Sequence, residues 1–272
     1  MTVVDWDDLV SRAFVPDRPT AMTVGVFDGV HRGHRLLLER VAARRDEAIP
    51  TAVTFRANPK AVLRPRAYEG DILSLDQKVE ALAAAGAELV VLIDFSGNFG
   101  KLAGKDFIGL LKDRGKLRYL AVGSDFRCGH RLDTDAAALK RMNEEDGIAT
   151  DILDSLISGV SPISSSRIRT AISAGDLVEA AALLGRNVEL DLAGTPTTPG
   201  EGWIDFDVRA MRRITPPDGR YPAILVARNP SMRTKRFIDI RAGVVRVPSS
   251  PDTNSVADAL RVELLTVVAQ GE

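Results

Sequence analysis

The chain has 272 residues, 45% hydrophobic and 27% charged, with 36 Lys and Arg against 37 Asp and Glu for a formal net charge of -1. That balance excludes a disordered, collagen-like or membrane-spanning chain and carries no global basic field for nucleic acid; the length allows one large domain or two smaller ones without a disulfide or metal staple. A single cysteine, Cys128, excludes an intrachain disulfide framework and a cysteine zinc ribbon.

The acidic opening Met1–Asp8 lacks the basic and apolar regions of a secretory signal, and the aliphatic runs are too short to span a bilayer, so a cytoplasmic location is expected. In chain order, Met22–Phe27 predicts a buried strand. His34–Glu47 predicts a helix with Leu36, Leu37, Leu38, Val41 and Ala42 on one stripe. Thr51–Phe55 is a short β-branched strand. Ser74 opens a helix to Ala85, with Gln77 completing a capping box and Gly86 as the stop. Leu89–Ile93 is an all-apolar strand, Phe107–Lys112 helical, Leu117–Val122 a strand, Asp135–Asn143 a helix and Ile148–Leu153 a weaker strand. Continuous apolar strands between amphipathic helices predict an α/β fold: a doubly wound parallel sheet that binds ligands at the carboxyl ends of its strands. Two short helices, Ser165–Ser173 and Leu177–Leu184, follow. Beyond Gly185 the texture changes. A breaker cluster at 194–200 precedes strand-like runs at Trp203–Val208, Tyr221–Ala227, Phe237–Ile240, Val244–Val247 and Leu260–Val268. The expected division is an α/β domain over residues 1–186 and a small all-β domain over 187–272.

The densest chemical signal is Gly25-Val26-Phe27-Asp28-Gly29-Val30-His31-Arg32-Gly33-His34, where the first strand gives way to the first helix. Glycines there let the backbone approach a phosphate, and the helix start offers unpaired N–H groups with a partial positive charge. His31 and His34 straddle that corner and can donate to phosphoryl oxygens whose charge grows during displacement. The same pair could instead cap the helix or begin a metal site, although no further His or Cys lies close in sequence to complete one. The second signal is Ile163-Ser164-Ser165-Ser166-Arg167-Ile168-Arg169. Its hydroxyls cap a helix and can bind phosphate oxygens, and its arginines are charge-assisted donors. Alone it is an ordinary serine-rich cap; with the histidine corner it reads as half of a split nucleotide site.

With Val53–Pro59, Val122–Gly129 and Ala180–Arg186, these motifs follow in order across residues 21 to 186 and resemble the bacterial riboflavin kinase/FAD synthetase family. More broadly the chain is similar to the Rossmann-like nucleotidylyltransferases. The resemblance implies an FMN adenylyltransferase that moves AMP from ATP to FMN, giving FAD and pyrophosphate. It implies catalytic roles for His31, His34 and Arg167. It implies nucleotide binding by Gly25, Phe27, Asp28, Gly29, both histidines, Ser164, Ser165 and Arg167, and flavin contacts from Asn58, Pro59, Asp125, Phe126 and Arg127. Mg2+ would arrive with ATP, with no dedicated protein metal site. ATP and FMN are then the partners, neither nucleic acid nor membrane is, and the oligomeric state is not legible.

Departures from the family pattern fall at both ends. Asn58 stands where the family carries His before Pro, and Cys128 and His130 replace an aromatic and a basic residue. Cys128 reads as a small buried filler and His130 as a solvated loop residue. The family's C-terminal riboflavin kinase barrel carries Gly-x-Pro-Thr-Ala-Asn; here Gly194–Pro199 keeps the Pro-Thr but has Pro199 at the Asn, and Val188–Ala193 lacks the upstream glycines. Glu263 is the one candidate for that module's base and reads as solvent-facing. Arg233, Lys235, Arg236, Arg241 and Arg246 read as a solvated basic face. The expectation is therefore FAD synthesis without riboflavin kinase activity, the β domain being a degenerate barrel. The alternatives are a nucleotidylyltransferase for another phosphate acceptor and a non-catalytic flavin- or nucleotide-binding homologue. Class I aminoacyl-tRNA synthetases share His-x-Gly-His, but their lysine-rich loop and anticodon-binding domain have no counterpart here.

Overall fold

Strands that are apolar on both faces persist only where helices cover both sides of the sheet, and the first half of this chain is built that way. The computed structural model describes residues 1–95, 99–227, 233–249 and 261–266. It divides into two compact units, Met1–Tyr68 with Lys78–Pro162, and Glu69–Gln77 with the described residues from Ile163 onward. Compactness thus groups the two helices after Pro162 with the strands that follow them.

The first unit contains β1 (Thr2–Asp5), α1 (Trp6–Ser11), β2 (Thr20–Val24), α2 (Arg32–Ala42), β3 (Ile49–Phe55), α3 (Pro59–Leu63) and most of α4 (Leu75–Ala84). It continues with β4 (Leu89–Ile93), α5 (Gly104–Asp113), β5 (Leu117–Gly123), the two-residue strands β6 (Arg127–Cys128) and β7 (Thr134–Asp135), α6 (Ala136–Glu145) and β8 (Ala149–Leu153). The hairpin β9 (Ile157–Ser158) and β10 (Ser161–Pro162) ends it. Six strands form one sheet in the order β1-β4-β3-β2-β5-β8, every neighbouring pair parallel. Met22, Val24, Val53, Leu120 and Val122 face α1, α5 and α6 through Leu9, Phe107, Leu111 and Leu139; Ala21, Tyr119 and Ala121 face α2 through Leu37 and Val41. The doubly wound α/β expectation holds. From β2 the chain winds one way to β3 and β4, then crosses to β5 and β8. The carboxyl end of β2 therefore lies at the reversal of strand order, where open α/β sheets bind ligands.

Several boundaries differ from the sequence reading. β2 stops at Val24 rather than Phe27, because Phe27 takes a positive φ of 50° and belongs to the corner. α2 runs 32–42 rather than 34–47, beginning at its histidine cap. It stops early because Arg45 is drawn into tertiary contacts: its side chain donates to the Gly86 carbonyl and pairs with Glu88, and its own carbonyl accepts from Arg18. The Ser74–Gln77 capping box forms as read: Ser74 Oγ accepts from the Gln77 N–H at 3.0 Å, and Gln77 Oε1 accepts from the Ser74 N–H at 2.9 Å. β1 and α1 were not legible, since a four-residue edge strand with a largely exposed pattern carries little periodic signal.

The second unit holds α7 (Ser165–Ser173), α8 (Leu177–Leu184), β11 (Val188–Asp191), β12 (Thr197–Gly200), β13 (Trp203–Asp207), β14 (Gly219–Val226), β15 (Arg233–Arg241), β16 (Val244–Pro248) and β17 (Arg261–Leu264). The seven strands are antiparallel in the order β11-β17-β14-β15-β16-β13-β12. Phe206, Ile238, Ile240, Val245, Val247, Val262 and Leu264 are buried, alternating with polar neighbours along their strands. The breaker cluster contains an unexpected strand, β12, at the end of the sheet, the place where a strand proline such as Pro199 is tolerated. The run read as Leu260–Val268 is a strand only over 261–264, and residues 260, 267 and 268 lie outside the described residues.

Candidate active site

Three loops leave the carboxyl ends of three adjacent strands, β3, β2 and β5, and they carry the histidine corner and the two segments expected to contact flavin. The corner after β2 is tightly determined. Gly25 N–H donates to the Val53 carbonyl at 3.1 Å, and Thr54 Oγ1 donates to the Val26 carbonyl at 3.0 Å, so β3 fixes the exit of β2. A Cβ on Gly25 would stand 3.2 Å from the Phe27 ring. Phe27, Gly29 and Val30 have φ of 50°, 88° and 37°. Left-handed backbone at a β-branched valine is strained, and such strain collects where a loop must aim its groups at a ligand. Phe27 and Val30 are fully buried and Asp28 nearly so, and they anchor the turn from below.

His31 is the N-cap of α2. Its Nδ1 accepts the His34 N–H at 3.3 Å, so the proton of the neutral ring sits on Nε2. The two imidazoles stack, with centroids 3.6 Å apart and planes 17° apart, and the Phe27 ring meets His34 edge-on at 5.2 Å. Burial, followed by the neighbouring His31, holds the His34 pKa well below the usual imidazole value. The capping reading and the phosphate reading therefore both describe His31. Two polar atoms in this layer are enclosed and have no hydrogen-bond partner among the described residues: His34 Nδ1 and Thr23 Oγ1. At Gly33 a Cβ would come within 3.3 Å of the His31 ring, close enough to press on it.

Asn58 is buried and caps α3, its Oδ1 accepting the Lys60 N–H at 3.1 Å, with Pro59 in the first turn. After β5, Asp125 and Arg127 are exposed, while Phe126 is half-buried against the core. The sheet thus brings the histidine corner, Asn58, Pro59, Asp125, Phe126 and Arg127 to one edge of the first unit. Cys128 is half-buried, and burial together with Asp133 pushes its thiol up to about 12, so it stays protonated at neutral pH. His130 is exposed and its Nδ1 meets the Gly100 carbonyl at 3.0 Å.

Ser164, Ser165 and Arg167 belong to the second unit. Ser164 Oγ caps α7 by accepting the Arg167 N–H at 3.2 Å, and the Arg167 guanidinium pairs with Glu179 of α8. Arg169, offered by the sequence as another donor, is buried and gives its Nε–H to the Gly70 carbonyl at 2.8 Å. Glu263 is not the solvent-facing residue expected. It accepts from Asn187 Nδ2 at 2.8 Å and pairs with Arg233. The basic stretch is also partly neutralised, because Arg246 makes a two-pronged pair with Asp205. Sequence reading assigned no role to Thr23 or to Thr54, although Thr54 falls within the Val53–Pro59 motif; their signal is a threonine in a buried strand.

A glycine- and histidine-bearing strand-to-helix corner at the switch point of a parallel sheet is where nucleotide-binding α/β enzymes hold phosphates. The family model for FAD synthetase matches residues 15–167, more than half of the chain, which therefore belongs to the FAD synthetase family. It is 28% identical over 258 residues to the bifunctional riboflavin kinase/FMN adenylyltransferase of Escherichia coli strain K12, covering 93% of this chain and 80% of that protein. It is 27% identical over 170 residues to an FAD synthetase of Listeria monocytogenes, covering 62% and 69%. A solved structure titled as a macrolide-efflux protein from Streptococcus pneumoniae superposes with a TM-score of 0.82 at 22% identity, covering 100% of this chain and 92% of that one; that likeness speaks to fold alone. No helix among the described residues is long and apolar enough to cross a membrane.

Proposed function

We propose that the protein adenylylates FMN: a phosphate oxygen of FMN attacks the α-phosphorus of ATP, the bond to the β-phosphate oxygen breaks, and pyrophosphate leaves with FAD as the product. The observation that carries this reading is the stacked His31–His34 pair on the amino end of α2, with the proton of His31 directed to Nε2 by its cap bond. In-line transfer of this kind needs positioning and neutralisation of growing charge rather than a covalent nucleophile. Ring N–H groups and the dipole of a helix start supply both. His34, held neutral by burial, accepts positive charge more readily once a triphosphate lies beside it. Ser164, Ser165 and Arg167 serve the same nucleotide in this reading; Asn58, Pro59, Asp125, Phe126 and Arg127 serve the flavin.

Among the described residues no group of three or more His, Cys, Asp and Glu is placed to hold a metal ion. The corner's donors suit phosphate oxygens rather than a cation, and Mg2+ enters this reading as the ATP complex, where it shields the phosphates. Residues 1–186 are assigned the transfer reaction and residues 187–272 a degenerate kinase-like role, in a cytoplasmic enzyme. Purified protein incubated with FMN, ATP and Mg2+ should yield FAD and pyrophosphate on chromatography. Absence of both products, with FMN still bound, would move the assignment to a flavin-holding protein.

A further inference from the structure

We propose that Thr23 is a positioning residue for His34, its hydroxyl bridged to His34 Nδ1 through one enclosed water, so that the ring carries its proton on Nε2. Thr23 lies on β2 with its side chain on the face that α2 covers. It shares that face with Ala21, and its lateral neighbours are Ala52 on β3 and Ala121 on β5. Leu37 and Val41 of α2 belong to the apolar cluster that holds Ala21 and Ala121. His34 sits one helical turn nearer the corner than Leu37, and Thr23 two residues nearer it than Ala21, so the packing that places α2 over Ala21 carries His34 toward Thr23. The alanines on either side leave Thr23 with no polar lateral neighbour, and the next residue of the row, Asp151 on β8, is engaged by the Tyr119 hydroxyl.

Both atoms are enclosed and neither has a hydrogen-bond partner among the described residues. Thr23 is completely buried. A buried hydroxyl with nothing to bond is costly, and an apolar isostere would remove that cost. An imidazole with one empty nitrogen has no fixed tautomer. One bridging water between them resolves both. It also gives His34 the arrangement that His31 already has, since the His31 Nδ1 is filled by the His34 N–H. Both rings then present Nε2–H, the donor a phosphoryl oxygen requires.

This inference rests on the adenylyl-transfer reading for its kinetic part only. The test compares the full-length wild type with Thr23→Val and Thr23→Ser. Nitrogen-15 NMR of histidine-labelled protein reads the His34 tautomer without any turnover. The expected results are an Nε2–H tautomer in wild type, a shift toward Nδ1–H or a mixture in Thr23→Val, and recovery in Thr23→Ser. With FMN and ATP, kcat/KM should fall about ten- to a hundred-fold in Thr23→Val, the scale for losing an outer partner of a functional imidazole, with the thermal midpoint not lowered. An unchanged tautomer in Thr23→Val, with unchanged kcat/KM and a raised midpoint, marks an orphan hydroxyl and overturns the proposal. If wild type makes no FAD, the functional reading fails and the tautomer comparison still decides this one. Should the valine variant not fold, Thr23→Ala carries the same comparison.

Discussion

At the scale of single residues, one imidazole in this corner caps a helix and the other is held neutral by its surroundings. His31 is buried and its Nδ1 closes the first turn of α2, so its replacement touches folding as well as chemistry. His31→Ala should reduce FAD formation by about 10²- to 10³-fold, the cost of removing one preorganised donor, and should also cost about 1 kcal/mol for the lost cap. His31→Asn, which keeps an N-cap oxygen, should lose the turnover and retain the thermal midpoint; paired assays and melts separate the two effects. His34 gives the protein a pH signature. Its folded pKa lies below the unfolded value near 6.5, so on acidification the unfolded chain takes up a proton that the folded one refuses. The stability due to neutral His34 is complete above about pH 6.5 and is lost as pH falls toward the folded value. Melts at about pH 7.5 and pH 5.5 should show a larger drop in wild type than in His34→Asn.

At the scale of elements, the local signals that survived intact are those in which side chain and backbone satisfy each other nearby. The Ser74–Gln77 box and the Ser164 cap on α7 each join residues three apart, so each is written in the sequence, as is the Asp135 cap on α6, which the sequence reading took as the first helical residue. Ser74 also donates to Asp191 Oδ2 at 2.6 Å, across 117 residues, which no local pattern announces. Ser74→Ala should therefore cost about 2–4 kcal/mol, more than a cap alone, because it removes the cap and strips a buried carboxylate of a donor. Urea unfolding checks this, and Ser74→Thr should restore most of the loss. The misplaced ends have tertiary causes. β2 was read three residues too long because Val26 and Phe27 are apolar, yet the corner needs them in a turn. α2 was read five residues too long because its charged last turn is claimed by Gly86, Glu88 and Arg18.

At the scale of the whole molecule, the parallel sheet and the antiparallel sheet carry different expectations for chemistry. The corner keeps its histidines and its strained backbone. The β unit places Pro199 on an edge strand and ties Glu263 to Asn187 and Arg233. A carboxylate whose oxygens are already engaged by an amide and a guanidinium is poorly placed to take a proton from a substrate. Riboflavin with ATP and Mg2+ should accordingly give no FMN, while FMN with ATP gives FAD. FMN formation from riboflavin would return the kinase reaction to this chain.

By itself the sequence determined the doubly wound sheet, the position of the histidine corner on a strand-to-helix turn, and the capping residues. Each depends on periodicity or on bonds between near neighbours, which a linear pattern records. Tertiary structure alone decided that His31 closes a helix while stacking on His34, that Thr23 Oγ1 and His34 Nδ1 are enclosed with no hydrogen-bond partner among the described residues, and that Glu263 is held by an arginine 30 residues away. Those outcomes depend on which strands lie side by side and how deeply a side chain is enclosed. Strand order and burial are properties of the packed chain, set by the sum of many apolar contacts rather than by any local run of residues.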